Sequence, residues 1–458
     1  MHIWSIFISV VAGVRLKPDP ITPSSHCPDP IFMFARKLYV EITTRCNMRC
    51  GMCIKHVPES RISNEDLDPA VFMRLIPHLA EIEELILNGI GEPLLHPNLV
   101  EMLSTARKHM PKNSRRGFQT NGILLDEKNS NELIDAGLNL LCISVDGSTC
   151  KESAPGKPFQ HQVLPHSPVK MVDSIRKRKG CADFRLGGEV VLTRETLPNL
   201  PDLVRQLGDE GADFIIGSHL LAFQPENEAS TLFDTNSDKA RKIYNKYKKF
   251  CTDEGIELKQ LTGKTWIAPR HPKEHLLKNI FKQMLGEARK DDTWLHVNHL
   301  ETFDETITQE AETYYRRSYE TAGEYGIELD LPPLTATLGR SCKFIRDKAL
   351  FINTRGYVMP CHALWHDYTL HMNGQPKHFH AKSFGNIIDR ELDDICTDTD
   401  LVEFRAHSGS NEFPYCHSCN PGPCPDITGE AGPFINDCFG IPVPCGHCLW
   451  CYDAIRCL

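Results

Sequence analysis

The sequence predicts an α/β fold: parallel strands alternating with helices, followed by a cysteine-rich C-terminal domain. Three observations carry this. Between Leu38 and Ile216, short apolar runs alternate six times with stretches of helical period, and strands separated by helices must run parallel. Three cysteines, Cys46, Cys50 and Cys53, follow the first of those runs directly. From Cys342 onward the chain holds eleven of its nineteen cysteines.

A chain of 458 residues, 41% hydrophobic and 24% charged, is long enough for two or three domains with ordinary cores. Its net charge of -9 argues against nucleic acid as the main partner. The dense basic runs, Arg176-Lys-Arg-Lys179 and Arg115-Arg116, read as solvated surface. The apolar run from Ile3 to Val14 has no Lys or Arg before it and no small-residue cleavage site after it. It is therefore expected to be an N-terminal extension rather than a signal peptide, and it is too short to span a membrane. A cytoplasmic protein with no membrane partner is expected, and in that reducing compartment the cysteines read as metal ligands.

The elements follow in order. Leu38 to Thr44 is the first strand. Asp68-Pro69 is an N-cap with proline in the first turn, and Phe72, Leu75, Ile76 and Leu79 fall on one helix face. The second strand is Glu84 to Asn88, with a helix from Asn98 to His109. The third, Gly117 to Thr120, precedes a helix at Asn131 to Ala136, and the fourth, Leu140 to Val145, precedes one at Pro168 to Lys179. Strands five, Glu189 to Thr193, and six, Asp213 to Ile216, flank a helix from Leu200 to Gly208. Residues 226–335 interrupt this scheme. Two stretches there echo each other, Ala240 to Leu258 and Ala311 to Leu329, each a helix followed by a short strand-like exit, Gly-Ile-Glu-Leu.

Three cysteines on a loop leaving a strand can turn three thiolates toward one point. A cubic cluster has four irons, so three protein ligands leave one iron free for chemistry; closely spaced cysteines serve a structural zinc equally well. The Cys46-x3-Cys50-x2-Cys53 spacing resembles the radical S-adenosylmethionine (SAM) superfamily. The resemblance implies a partial (β/α)6 TIM-like barrel over residues 38–225, preceded by an extension over 1–37. It also implies that Cys46, Cys50 and Cys53 hold a 4Fe-4S cluster whose open iron is chelated by SAM. Asn88-Gly-Ile-Gly-Glu92-Pro93 is similar to the family's Gly-Gly-Glu-Pro motif, which assigns Gly89, Gly91, Glu92 and Pro93 to the SAM amino group. By the same resemblance Asn121, Ser144 and Asp146 lie beside the ribose and carboxylate of SAM. Arg194, past the fifth strand, could pair with the SAM carboxylate but reads first as a surface arginine. Met52 stands where relatives often place an aromatic ring against adenine, and a flexible thioether fills the same contact.

In the tail, Cys342 is followed by Gly356-Tyr-Val-Met-Pro-Cys361, two ligands expected on the strands of a small hairpin, and then by Phe384-Gly-Asn-Ile387. This order resembles the SPASM domain, which binds auxiliary 4Fe-4S clusters. The resemblance makes residues 336–458 such a domain, with Cys342, Cys361, Cys416, Cys419, Cys424, Cys438, Cys445, Cys448 and Cys457 as candidate ligands for one or two clusters. In a departure from the family, the cysteine after Cys424 waits until Cys438. Two clusters need eight thiolates, so at least three of the eleven are spare, and Cys396 on a helix is the first candidate for a buried thiol. Histidines 362, 366, 371, 378 and 380 could form another metal site, but clustered loop histidines are more often exposed, and they are read so here. The ending Asp437-Cys-Phe-Gly440 with Cys445-Gly-His-Cys-Leu-Trp450 looks like the SPASM branch that matures tungsten-containing aldehyde oxidoreductases.

The resemblance thus implies an enzyme that cleaves SAM reductively to a 5'-deoxyadenosyl radical, with reduced ferredoxin or flavodoxin as donor. Its substrate would be a tungsten or molybdenum cofactor or the host oxidoreductase. A peptide maturase is the alternative within the same chemistry, and a non-catalytic electron-transfer or zinc-scaffold protein the alternative outside it.

Overall fold

The computed structural model describes residues 35–145, 167–258, 271–291, 293–302, 305–337, 339–411, 413–414, 416, 440–441, 443–446 and 448–458. The six expected strands form in order: β1 (Lys37–Val40), β2 (Glu84–Ile86), β3 (Arg115–Thr120), β4 (Leu140–Ser144), β5 (Arg185–Leu192) and β6 (Phe214–His219). Each is paired in parallel with the next, as βα alternation requires. The helices Leu99–His109, Glu127–Ala136, Pro168–Arg178 and Leu200–Asp209 connect them. Asp68 caps the helix Pro69–Met73 through Ala70 N, and Asp126 and Asn129 form a reciprocal capping box.

The sheet is longer than the sequence indicates. β7 (Glu328–Asp330), at the end of the inserted region, pairs in parallel with β6, and β8 (Ala349–Ile352), in the cysteine-rich half, pairs in parallel with β1. β9 (Val358–Met359) closes an antiparallel hairpin on β8, with Gly356 at φ +82° in the turn. The order is β7-β6-β5-β4-β3-β2-β1-β8-β9, an open sheet consistent with a partial barrel. The two echoing stretches therefore diverge. The second supplies β7 after the helix Glu305–Tyr325, which packs on helix Leu200–Asp209 like a seventh βα unit. The first ends without a strand and packs Ile256 and Leu258 into a small separate core with Leu277, Ile280 and Met284 of the helix Pro272–Lys290. Once β7 occupies the edge of β6, no edge remains there for a second copy.

Strand alternation divides the interior in two. Leu38, Val40, Leu85, Leu87, Phe118, Leu141 and Ile143 face the helices. Tyr39, Ile86, Leu140, Cys142, Phe214, Ile216 and Phe351 share the opposite core with the tail, which brings Cys361, Leu370, Phe413, Cys445, Cys451, Tyr452 and Leu458 to it. The cysteine-rich half thus packs on the inner face of the barrel. Residues 454–458 run from β6 to β1: His219 N donates to Ala454 O and Ser218 Oγ to Arg456 O on β6, and Tyr39 Oη of β1 donates to Leu458 O at 2.6 Å.

The run Arg176–Lys179 is neutralised in place by Asp173, Asp213, Glu127 and Asp135. Arg116, expected in solvent, is 7% exposed and donates to Gly137 O and Ser114 Oγ, because it lies on a strand whose flank is covered by the 137–139 turn. Among the described residues no helix is long and apolar enough to cross a membrane.

Candidate functional site

The exit of β1 is pinned before the cysteines begin. Thr43 Oγ1 donates to Asp66 Oδ1 at 2.6 Å and Thr44 Oγ1 to Ser63 O at 2.6 Å, while Arg45 spans Asp66 and Leu95 O. Cys46, Cys50 and Cys53 then lie half-exposed on the arc above the strand ends. Main-chain amides are aimed at two of the sulfurs, Met48 N at Cys46 Sγ, 3.4 Å, and Lys55 N at Cys53 Sγ. Burial pushes the Cys46 and Cys53 thiols up, while the nearby Lys55 ammonium pulls them down. Lys55 is anchored to Thr44 O and Asn64 Oδ1. Three accessible thiols, two of them with N–H groups directed at their sulfurs, suit a cationic iron-sulfur core, which stabilises thiolates that burial disfavours.

Beside them, Glu92 is buried at 2% exposure, and its carboxylate accepts from Leu94 N at 3.1 Å, Thr120 Oγ1 at 2.7 Å and Asn121 N at 2.8 Å. Burial raises its pKa while these three donors lower it. The carboxylate therefore ties the end of β3 to the loop after β2, with one lone-pair position left over. Close packing within the chain requires glycine at positions 89 and 91. A Cβ on Gly91 would stand 2.4 Å from Thr43 O and 2.5 Å from Arg45 O, and one on Gly89 would stand 2.3 Å from Glu41 Cγ. The space is taken by the chain itself, and Pro93 opens the short turn that follows.

Asn121 faces the cysteine loop: its Nδ2 donates to Asn47 Oδ1 at 2.8 Å, and its side chain also bonds Cys46 Sγ. Ser144, at the end of β4, accepts from Gln119 Nε2 at 3.3 Å. Asp146 lies outside the described residues. Arg194 donates to Thr231 O, and Met52 is half-buried. Sequence reading missed Glu41, 0% exposed on the exit of β1, whose partner His366 lies in the C-terminal half.

The tail thiols gather differently from expectation. Cys342 is not on a strand but caps the helix Lys343–Arg346, and Cys361 follows β9. The free thiols of Cys342 and Cys451 are hydrogen-bonded to each other, as are those of Cys451 and Cys448, and Cys361 and Cys445 lie within range of the same charges. The Cys451 contact and the amides of Phe344 and Ile345 pull Cys342 down, whereas Cys361 and Cys445 are pushed up by burial. One group of clustered thiols, in which Cys361, Cys445 and Cys451 are held toward the neutral form and Cys342 is not, fits an auxiliary cluster whose iron would draw them to thiolates. Among the described residues no three His, Cys, Asp or Glu groups converge on a single ion. Cys416 Sγ abuts Gly446, 2.4 Å from where a Cβ would stand; Cys419, Cys424 and Cys438 lie outside the described residues. Cys457 instead accepts from Trp450 Nε1 at 3.2 Å and lies 3.4 Å from His362 Nδ1. Cys396 is a buried thiol at 1% exposure. His362 is not exposed: it sits among Tyr39, Phe344, Phe351 and Trp365, where burial lowers its pKa to about 3.

A parallel open barrel with a three-cysteine loop at its strand ends and a thiol-lined domain on its inner face defines a radical SAM enzyme with auxiliary iron-sulfur binding. Residues 40–177 match the Radical SAM superfamily and residues 342–420 match SPASM, an iron-sulfur cluster-binding domain; the protein is a radical SAM enzyme with 4Fe-4S clusters and SAM as cofactors. It is 24% identical over 427 residues to the tungsten-containing aldehyde ferredoxin oxidoreductase cofactor-modifying protein of Pyrococcus furiosus, covering 92% of this chain and 96% of that one. A probable GTP 3',8-cyclase of Methanopyrus kandleri is 30% identical over 181 residues, 38% of this chain and 53% of its own. Among solved structures, Streptococcus suis SuiB bound to S-adenosylmethionine aligns with 83% of this chain and 69% of its own, at 13% identity and a TM-score of 0.45.

Proposed function

We propose that this enzyme matures a tungsten or molybdenum pterin cofactor, or the oxidoreductase that carries it. The observation that carries the reading is the extent of the likeness to the Pyrococcus furiosus cofactor-modifying protein, which runs through barrel, insertion and tail, whereas the likeness to the cyclase stops at 38% of the chain. Cys46, Cys50 and Cys53 would hold a 4Fe-4S cluster, which, when bound, supplies the electron that splits SAM to methionine and a 5'-deoxyadenosyl radical. The chain's own contribution is placement. Asn121, bonded to Asn47 and Cys46, sets the cysteine loop against β3, and Glu92 holds Leu94 and Asn121 so that Gly89–Pro93 forms a firm shelf for the methionine end of SAM. Ser144 and Asp146 would flank the ribose and carboxylate. Cys342, Cys361, Cys445, Cys448 and Cys451 supply more than the four thiolates one auxiliary cluster needs, leaving Cys416, Cys419, Cys424 and Cys438 for a second. Reduced ferredoxin or flavodoxin, in a reducing cytoplasm, would supply the electron.

Anaerobically reconstituted protein given dithionite and SAM is expected to release 5'-deoxyadenosine, and the pterin extracted from a tungsten aldehyde oxidoreductase is expected to change mass on incubation with it. Deoxyadenosine coupled to a short precursor peptide and not to pterin would move the reading to peptide maturation. A colourless protein holding stoichiometric zinc would return the cysteines to a scaffold role.

A further inference from the structure

Glu41 is fully buried at the exit of β1, five residues before Cys46. A buried carboxylate must be met by donors, and Glu41 takes two. Ile90 N, in the middle of the loop from Gly89 to Glu92, donates to Oε1 at 3.1 Å. His366 Nε2 lies 3.2 Å from Oε1 and 3.1 Å from Oε2. The rest of the Glu41 side chain fills the space beneath Gly89, so the loop rests directly on it. The imidazole comes from the other end of the chain, 325 residues away, and is itself held: the Trp365 ring stands edge-on to His366 at 5.0 Å and to Phe351 of β8 at 4.5 Å. A further charged neighbour is Lys55, whose ammonium senses the same carboxylate.

We propose that the Glu41–His366 pair is a brace by which the C-terminal domain holds the Gly89–Glu92 loop in its SAM-receiving shape. Glu41 and His366 are positioning residues here, and they make SAM affinity a property of both halves of the molecule rather than of the barrel alone. The inference rests on the reading that this loop receives the methionine end of SAM. Its chemistry is that of a buried pair: taking away His366 leaves the carboxylate with one amide donor, and the system relieves this by moving Glu41 or by admitting water, both of which slacken the loop lying on it. Removing the charge as well as the imidazole should relieve the penalty, because a neutral amide at position 41 still accepts from Ile90 N.

The test uses the full-length, cluster-loaded protein and the change in the EPR spectrum of the reduced cluster as SAM is added, with iron content and thermal midpoint as structural controls. His366→Leu is expected to weaken SAM at least tenfold with iron content unchanged. His366→Gln, which keeps an N–H for Glu41, should stay within about threefold of wild type, as should the double variant Glu41→Gln/His366→Leu, on the reasoning above that an acceptor without its charge suffices. Wild-type affinity in His366→Leu would overturn the brace, as would a His366→Gln variant as weak as His366→Leu. If His366→Leu fails to fold, the double variant decides: recovery of folding and binding supports the brace, and the same failure overturns it. A wild-type protein whose spectrum ignores SAM would sink the parent reading instead.

Discussion

Replacing Glu92 by alanine is expected to loosen the fold and the SAM shelf together. The carboxylate accepts from three groups, Leu94 N, Asn121 N and Thr120 Oγ1, and is only 2% exposed, so none of the three has bulk water as a ready substitute. Each buried donor left without an acceptor costs about 1–3 kcal/mol, and the half-buried Asn121 lets some water into the vacated space, so a total of about 3–5 kcal/mol follows. Glu92→Gln retains an oxygen for two of the donors but turns an NH2 toward the third, which is worth roughly 1.5–3 kcal/mol. Urea unfolding of cluster-loaded protein should therefore rank wild type above Glu92→Gln above Glu92→Ala, and SAM affinity should fall in the same order. An alanine variant within about 0.5 kcal/mol of wild type, the range of an ordinary surface change, would refute the view that this carboxylate pins the shelf.

Two further outcomes follow, one from the tail and one from β6. Replacing Cys342 and Cys451 together by serine leaves three of the five thiols and should lose the iron of one auxiliary cluster, roughly four atoms per chain, while Cys457→Ser should keep it; iron assay and Mössbauer spectra of the two variants decide. His219, buried with its pKa lowered to about 4 by burial, binds fewer protons folded than unfolded, so its contribution to stability is present above its ordinary pKa of 6.5 and is lost as pH falls below it. Between pH 7.5 and 5.5 that is about 1.3 kcal/mol, and His219→Gln should flatten the urea-unfolding profile by this amount.

The local features of this molecule were open to sequence reading because their causes are local. Cys46, Cys50 and Cys53 reveal themselves by spacing alone, Asp68 and Asp126 by capping chemistry, and β1 to β6 by apolar runs that a parallel sheet buries on both faces. What depended on distant partners was hidden. Glu328–Asp330 reads as a strand-like exit and Ala349–Ile352 as part of a small hairpin, but that they extend the barrel sheet depends on the edges that β6 and β1 present to them. Glu41 looks like one polar residue in an apolar strand until His366 arrives from the far half, although a lone carboxylate in a run of Tyr, Val and Ile was itself a signal worth following. The split between Cys451 and Cys457 depends on which way the last turn faces the barrel, and spacing says nothing of that. Histidine 362 was misread for the same reason: it belongs to a ring cluster built from β1, β8 and the tail.

The central claim is that Cys46, Cys50 and Cys53 present an iron to which SAM binds. Electron-nuclear double resonance on the reduced enzyme with SAM labelled at its amino nitrogen tests this most directly. The account predicts a coupling between that nitrogen and the cluster, present in wild type and absent in Cys50→Ala while the auxiliary signals remain. No coupling in wild type, or one that survives the loss of Cys50, would contradict it.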